Sequence, residues 1–299
     1  MPYLVSNLIA ETRNELNGTV RTEWNLTNGA GTAVATTITL RDDMRGVDFG
    51  TILGVGNEEM RVRSVSGQIA TVIRAWNGTT AATWADNAPV EINPRFSVSL
   101  LRRTLRDVIR AWPHSLFTPA SEILAVGAGQ RLFKLGRADA YGVCEVRRDP
   151  SSAVDVLSPS LSRDTYPVVR GWEIVRSGPA TAAGVGFQIK EYVPAGNLYV
   201  TYGVPFDVSD FDDAVDIEVD VGLASTMLDI PRIGAIARCL AWEQVRRTDL
   251  SVQSQPRIAA EIPPSEIVQS AAFYTRLADR RVREEADRLR QVWGIKMSS

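Results

Sequence analysis

The sequence predicts an α+β chain of several modules: a four-helix bundle core with a small antiparallel β-barrel and a larger antiparallel β-sandwich inserted between its helices. Three observations carry this. One clear amphipathic helix, Arg95 to Trp112, stands between two blocks of β-type sequence; further amphipathic stretches occupy both ends of the chain; and 299 residues exceed what a single core usually holds. The predicted modules are an N-terminal helix and link (1–33), the barrel (34–96), the central helix and link (97–129), the sandwich (130–224) and a C-terminal helical pair completing the bundle (225–299).

Tyr3 to Leu16 spaces Leu4, Leu8, Ile9 and Leu16 as a short amphipathic helix. From Val34 to Pro94 the period changes to two. Thr36 to Leu40, Gly50 to Val55, Glu59 to Val65 and Ile69 to Trp76 are rich in Val, Ile and Thr, with Gly56-Asn57, Ser66-Gly67 and Asn77-Gly78 as turns between them. In the central helix Val98, Leu101, Leu105, Ile109 and Trp112 share one face and Arg102, Arg106 and Arg110 another. Pro94 and Ser97 mark its start and Pro113 its stop.

The second β block places strands at Arg131 to Leu135, Gly142 to Arg147, Trp172 to Arg176, Gly186 to Tyr192 and Leu198 to Tyr202, with Ser151 to Pro167 as an exposed loop. Helical spacing returns at Asp229, where Ile233, Ile236 and Leu240 form a stripe. After a polar link through Pro256 to Pro264, Ser265 caps a last helix that Gly294 ends. Asp279 with Arg283 and Glu284 with Arg288 are spaced as ion pairs along it.

Composition excludes several functions. A net charge of −2 argues against a general nucleic-acid coat. Cys144 and Cys239 are far apart and read as reduced thiols, and no apolar run is long enough to span a bilayer, so a soluble chain is expected. His114 is the single histidine and lies in a loop without a nucleophile elbow, so no catalytic centre is expected. Cys or His pairs for zinc are missing, so neither metal nor cofactor is expected. Gly127-Ala128-Gly129 lacks the spacing of a phosphate loop. Asp207, Asp210, Asp212, Asp213 and Asp216 lie in an acidic stretch without the order of a calcium loop. They read as a solvated edge or a patch that meets a basic partner. Arg276, Arg280, Arg283 and Arg288 in the last helix alternate with acids and suit a charged neighbour better than DNA. Trp76, Trp84, Trp172, Tyr192, Tyr199 and Tyr202 are core fillers or, alternatively, platforms for sugars.

Two stretches carry a resemblance. Gly50-Thr-Ile-Leu-Gly-Val-Gly, Glu59-Met-Arg-Val-Arg-Ser-Val-Ser-Gly, Thr71-Val-Ile-Arg-Ala-Trp-Asn-Gly-Thr-Thr-Ala-Ala-Thr-Trp-Ala and Val90-Glu-Ile-Asn-Pro-Arg-Phe resemble a small β module recurrent in virion proteins of tailed bacteriophages. Ala75 and Trp84 stand where relatives carry Gly and His. Asp229-Ile-Pro-Arg through Ala237-Arg-Cys-Leu-Ala-Trp-Glu and the arginine-rich last helix resemble the helical ends of head-to-tail connector, or adaptor, proteins. The resemblance implies a virion neck protein made in a bacterial cytoplasm. It would form a homo-oligomeric ring, roughly a dodecamer, beneath the portal protein, joined below to a neck or tail protein. Packaged DNA would pass through its channel without specific binding. On this reading Arg276, Arg280, Arg283, Arg288, Trp293, Arg102, Arg106 and Arg110 face protein partners, and the acidic patch faces the channel. The alternative is a tail or baseplate protein whose sandwich binds glycans.

Overall fold

The computed structural model describes residues 2–17, 24–42, 44–148, 167–175, 185–252 and 264–293. The loop expected from Ser151, the link through Pro256 and the helix stop at Gly294 lie outside the described residues. The chain is mixed α+β and divides into two compact units, Met1–Ala111 with Val208–Asp279, and Trp112–Asp207 with Arg280–Ser299.

In the first unit, α1 (Val5–Asn17), α2 (Val98–Arg110) and α3 (Asp229–Val252) pack pairwise on one another. Ser97 caps α2 by accepting the Leu100 N–H at 3.2 Å, and Val98, Leu101, Leu105 and Ile109 are buried, as their spacing requires. Val108 and Thr104 widen this stripe. Gly234 of α3 faces it, and a Cβ there would stand 2.7 Å from Val108 Cγ1, so the glycine sets how closely the two helices approach. Tyr274 of α4 (Pro264–Trp293) donates to Glu15 of α1 at 3.3 Å.

The same unit contains a half-barrel of six antiparallel strands: β1 (Trp24–Leu26), β2 (Thr37–Thr39), β3 (Ile52–Val55), β4 (Glu58–Ser66), β5 (Ile69–Ile73) and β6 (Pro89–Ile92). Their order is β1-β6-β3-β4-β5-β2, and a bridge between Thr27 and Leu40 ties the two outer strands together. Ile38, Leu53, Met60, Val72 and Val90 fill it. The alternating pattern locates β2 to β5. β1 lies ahead of the stretch that reads as barrel, because three residues are too few to show a period.

The second unit holds two three-stranded antiparallel sheets. One is β7 (Thr118–Val126), β12 (Gly196–Val204) and β9 (Gly142–Arg148), in that order; the other is β10 (Trp172–Val175), β11 (Gly186–Ile189) and β8 (Leu132–Lys134). Phe133, Phe187 and Trp172 from one sheet and Val146, Leu198 and Val200 from the other share a hydrophobic core. β7 is a strand where the sequence reads as a link. Pro119 argues against a central strand, and β7 is an edge strand, where a missing N–H is tolerated. Strand structure ends at Val204, so the acidic stretch that follows is not part of either sheet.

Candidate functional site

The arginine face of α2 and the acidic stretch meet each other. Arg102 Nη2 lies 2.7 Å from Asp213 Oδ1, and its Nη1 donates to the Gly78 carbonyl at 2.8 Å. Around them Arg103, Arg106, Asn77, Asp210, Phe211 and Asp212 line a groove of about 630 Å³. The Arg106 Nε is buried there without a hydrogen-bond partner, while Arg110 is exposed at the end of the helix. Arg103 extends over the Trp242 ring at 6.0 Å.

The five acids have separate roles. Asp210 and Asp212 are exposed at the groove. Asp213 pairs with Arg102, and its carbonyl accepts the Ser6 N–H, while the Val215 carbonyl accepts that of Val5. Two orphan donors of the first turn of α1 are thereby satisfied. Asp216 Oδ1 accepts the N–H groups of Glu218 and Val219, which fixes a tight turn. Asp207 belongs to the other unit and is exposed.

The arginines of α4 point to neighbours on the helix. Arg280 and Arg281 both reach Glu284, and Arg288 donates to the buried Glu285 at 2.8 Å, a pairing three residues apart. Arg276 donates to the Ala272 carbonyl, Arg283 is exposed and Trp293 is half-buried. Val268, Phe273 and Val292 are exposed apolar residues on the same helix.

Two buried glutamates that the pattern does not single out hold the half-barrel together. Glu58 is 1% exposed and accepts from Arg74 Nε at 2.6 Å and Nη2 at 2.7 Å, and from the Ala75 and Ala82 N–H groups. Burial pushes its carboxyl up, but the bonds from Arg74, Ala82 and Ala75 outweigh this and hold it below the ordinary glutamate value. Arg74 also donates to the Thr32, Ala35 and Ala82 carbonyls and lies 4.7 Å from the Trp84 ring. Trp84 covers Gly31, where a Cβ would stand 2.1 Å from its ring. Ala75 has φ +52° and ψ +38°, the left-handed conformation that glycine adopts without cost.

Glu59 joins the half-barrel to the helices. Fully buried, it accepts the Ser99 N–H and hydroxyl at 2.9 Å each and the Asn77 amide at 3.0 Å. Ser99 is in the first turn of α2, so the carboxylate neutralises the positive end of that helix. The one hint in the sequence is a pair of adjacent acids at the start of a strand.

Trp84 and Trp172 are each 7% exposed, which places both in cores rather than on a sugar-binding face; Tyr199 is half-buried and Tyr192 is exposed. His114 is exposed and stacks on Tyr141 at 4.2 Å between ring centroids. Gly127 N–H donates to the Gln130 side chain and Gly127 C=O accepts from Gln130 N–H, which makes this segment a turn. Cys144 and Cys239 are buried free thiols, and burial pushes them up to about 12 and about 11. Among the described residues no three His, Cys, Asp or Glu side chains converge as metal ligands, and no helix is long and apolar enough to cross a membrane. Comparison with protein-family models and with curated proteins gives no match to this chain.

Proposed function

We propose that this chain is a virion structural protein, a head-to-tail connector that forms a ring beneath the portal of a tailed bacteriophage, extends the DNA channel and joins capsid to tail. One observation carries the reading beyond the resemblance itself. The stretch that resembles the virion β module folds as a single half-barrel, and buried Glu59 clamps it to the first turn of α2. A β module rigidly fixed to a helical core suits a part that is handled by neighbours above and below, since no energy is spent ordering it on docking. In this reading the four helices form the bundle core, and the half-barrel and paired sheets act as the barrel and sandwich modules.

The surface chemistry fits a structural role. The buried Glu58 and Glu285 each meet an arginine of the same chain, Arg74 and Arg288. The exposed Arg283, with the exposed apolar residues of α4, provides a mixed surface of the kind protein partners cover. The glycan-binding alternative loses Trp84 and Trp172 as stacking platforms, because both are buried.

Counting copies of the chain per purified virion, by quantitative peptide mass spectrometry against the major capsid protein, tests the proposal. Roughly twelve copies are expected for one closed ring at the portal vertex. Three to six copies, on the order expected of a tail tip, or hundreds, as in a decoration lattice, would each replace the connector reading. Absence from the particle would end it. Removing 264–293 is expected to abolish portal docking while both β modules stay folded.

A further inference from the structure

Val219 is 78% exposed although the turn that presents it is tightly held. Asp216 Oδ1 accepts the Glu218 N–H at 2.9 Å and the Val219 N–H at 3.1 Å. The Asp216 N–H donates to Asp220 Oδ2 at 2.9 Å, and the Asp220 N–H returns to the Asp216 carbonyl at 2.9 Å. The result is an apolar knob between two acids, fixed before any partner arrives. A knob of this kind loses little conformational entropy on binding.

The outer face of the half-barrel has the opposite character. Arg61 on β4 lies 4.8 Å from the Trp76 ring centroid and 5.8 Å from that of Phe49, so its guanidinium is flanked by two aromatic rings. Phe49 is 75% exposed. Ile52 and Ile73 are the cross-strand partners of Arg61 in the register of the sheet, and Ile73 is an exposed apolar residue. No carboxylate among the described residues pairs with Arg61. Rings against the faces of a guanidinium leave its in-plane N–H groups able to donate two parallel bonds to a carboxylate. Aromatics around an arginine, here exposed Phe49 and half-buried Trp76, also have the composition of an interface hot spot.

We propose that the chain self-associates head to tail, with the Val219 knob of one copy seated on the Phe49, Arg61 and Trp76 socket of the next. The socket calls for an apolar group beside a carboxylate, and the knob supplies both in Val219 and Glu218. Exposure of the two surfaces shows that they do not cover each other within one chain. Because knob and socket are different patches, the contact is heterologous and repeats around an axis, giving a ring where the rotation closes. The proposal deepens the ring reading above by naming its faces, and rests on that reading for closure alone.

The test is sedimentation velocity of the full chain across a concentration series, with circular dichroism melting as a check of fold. Arg61→Glu and Val219→Asp, on opposite partners of the contact, are each expected to weaken association by about tenfold or more with the melt unchanged. Glu218→Arg alone is expected to weaken it, and Glu218→Arg combined with Arg61→Glu to restore it. Association that survives both Arg61→Glu and Val219→Asp overturns the knob and socket while leaving a ring with another interface. A wild-type chain that stays monomeric throughout also overturns the proposal, and the copy number per virion then decides the connector reading separately.

Discussion

Arg102 in α2 and Asp213 beyond the last strand form an ion pair of 2.7 Å, and each side chain is mostly buried, at 12% and 20% exposure. Two surfaces that the sequence offers to two different partners thus neutralise each other within one unit. The contact also places the Asp213 carbonyl over the first turn of α1, so a single segment links α2 to α1. Charges that a linear reading assigns to DNA or to the portal are in part internal structure.

Arg102→Ala and Asp213→Asn are each expected to lower stability by about 1–3 kcal/mol, because each leaves a half-buried polar partner unmatched. The double variant should cost less than the sum. Urea denaturation of the four proteins in a double-mutant cycle measures the coupling, and strict additivity would show that the pair contributes nothing.

Glu58→Gln is expected to cost about 3–5 kcal/mol, since it leaves Arg74 charged and buried without its counterion. The sign of the pH effect follows from the direction of the shift. The carboxyl is held below its ordinary value of 4.5, so its contribution is complete above that pH and is lost as pH falls through the depressed value. Wild-type Tm should fall on acidification in this window more steeply than that of Glu58→Gln. Parallel acid profiles would place the titration on another group.

Ala75→Gly should stabilise the half-barrel. A left-handed alanine costs about 1–2 kcal/mol, and the extra freedom of glycine in the unfolded chain returns part of this, leaving a gain of about 0.5–1 kcal/mol. The denaturation midpoint should rise at constant m-value. A loss of stability would mean that the alanine methyl contributes packing that outweighs its backbone strain.

Gly234→Ala separates helix propensity from packing. Propensity alone favours alanine by about 1 kcal/mol in a helix. The new methyl, however, would meet Val108 Cγ1 at 2.7 Å, and a β-branched side chain held in the α2 stripe cannot swing aside. Destabilisation of about 1–3 kcal/mol is therefore expected, read from the thermal midpoint. A rise in Tm would show that α2 and α3 separate at little cost.

The sequence by itself determined the mixed α+β class, the four helices and the strands β2 to β5, β8 to β12. These elements bury one face, so their periods of 3.6 and 2 are written in nearest-neighbour spacing. It also exposed both the arginine face and the acidic stretch as chemically distinct. β1, β6 and β7 escaped, the first two because they are three and four residues long and the third because Pro119 is tolerated only at a sheet edge, a position no local pattern records. Tertiary structure alone decided that Glu59 caps α2, that Arg74 is shared between Glu58 and Trp84, and that Arg102 meets Asp213. Each of these joins groups distant in sequence, and the desolvation that makes a charge require its partner exists only once the chain has folded around it.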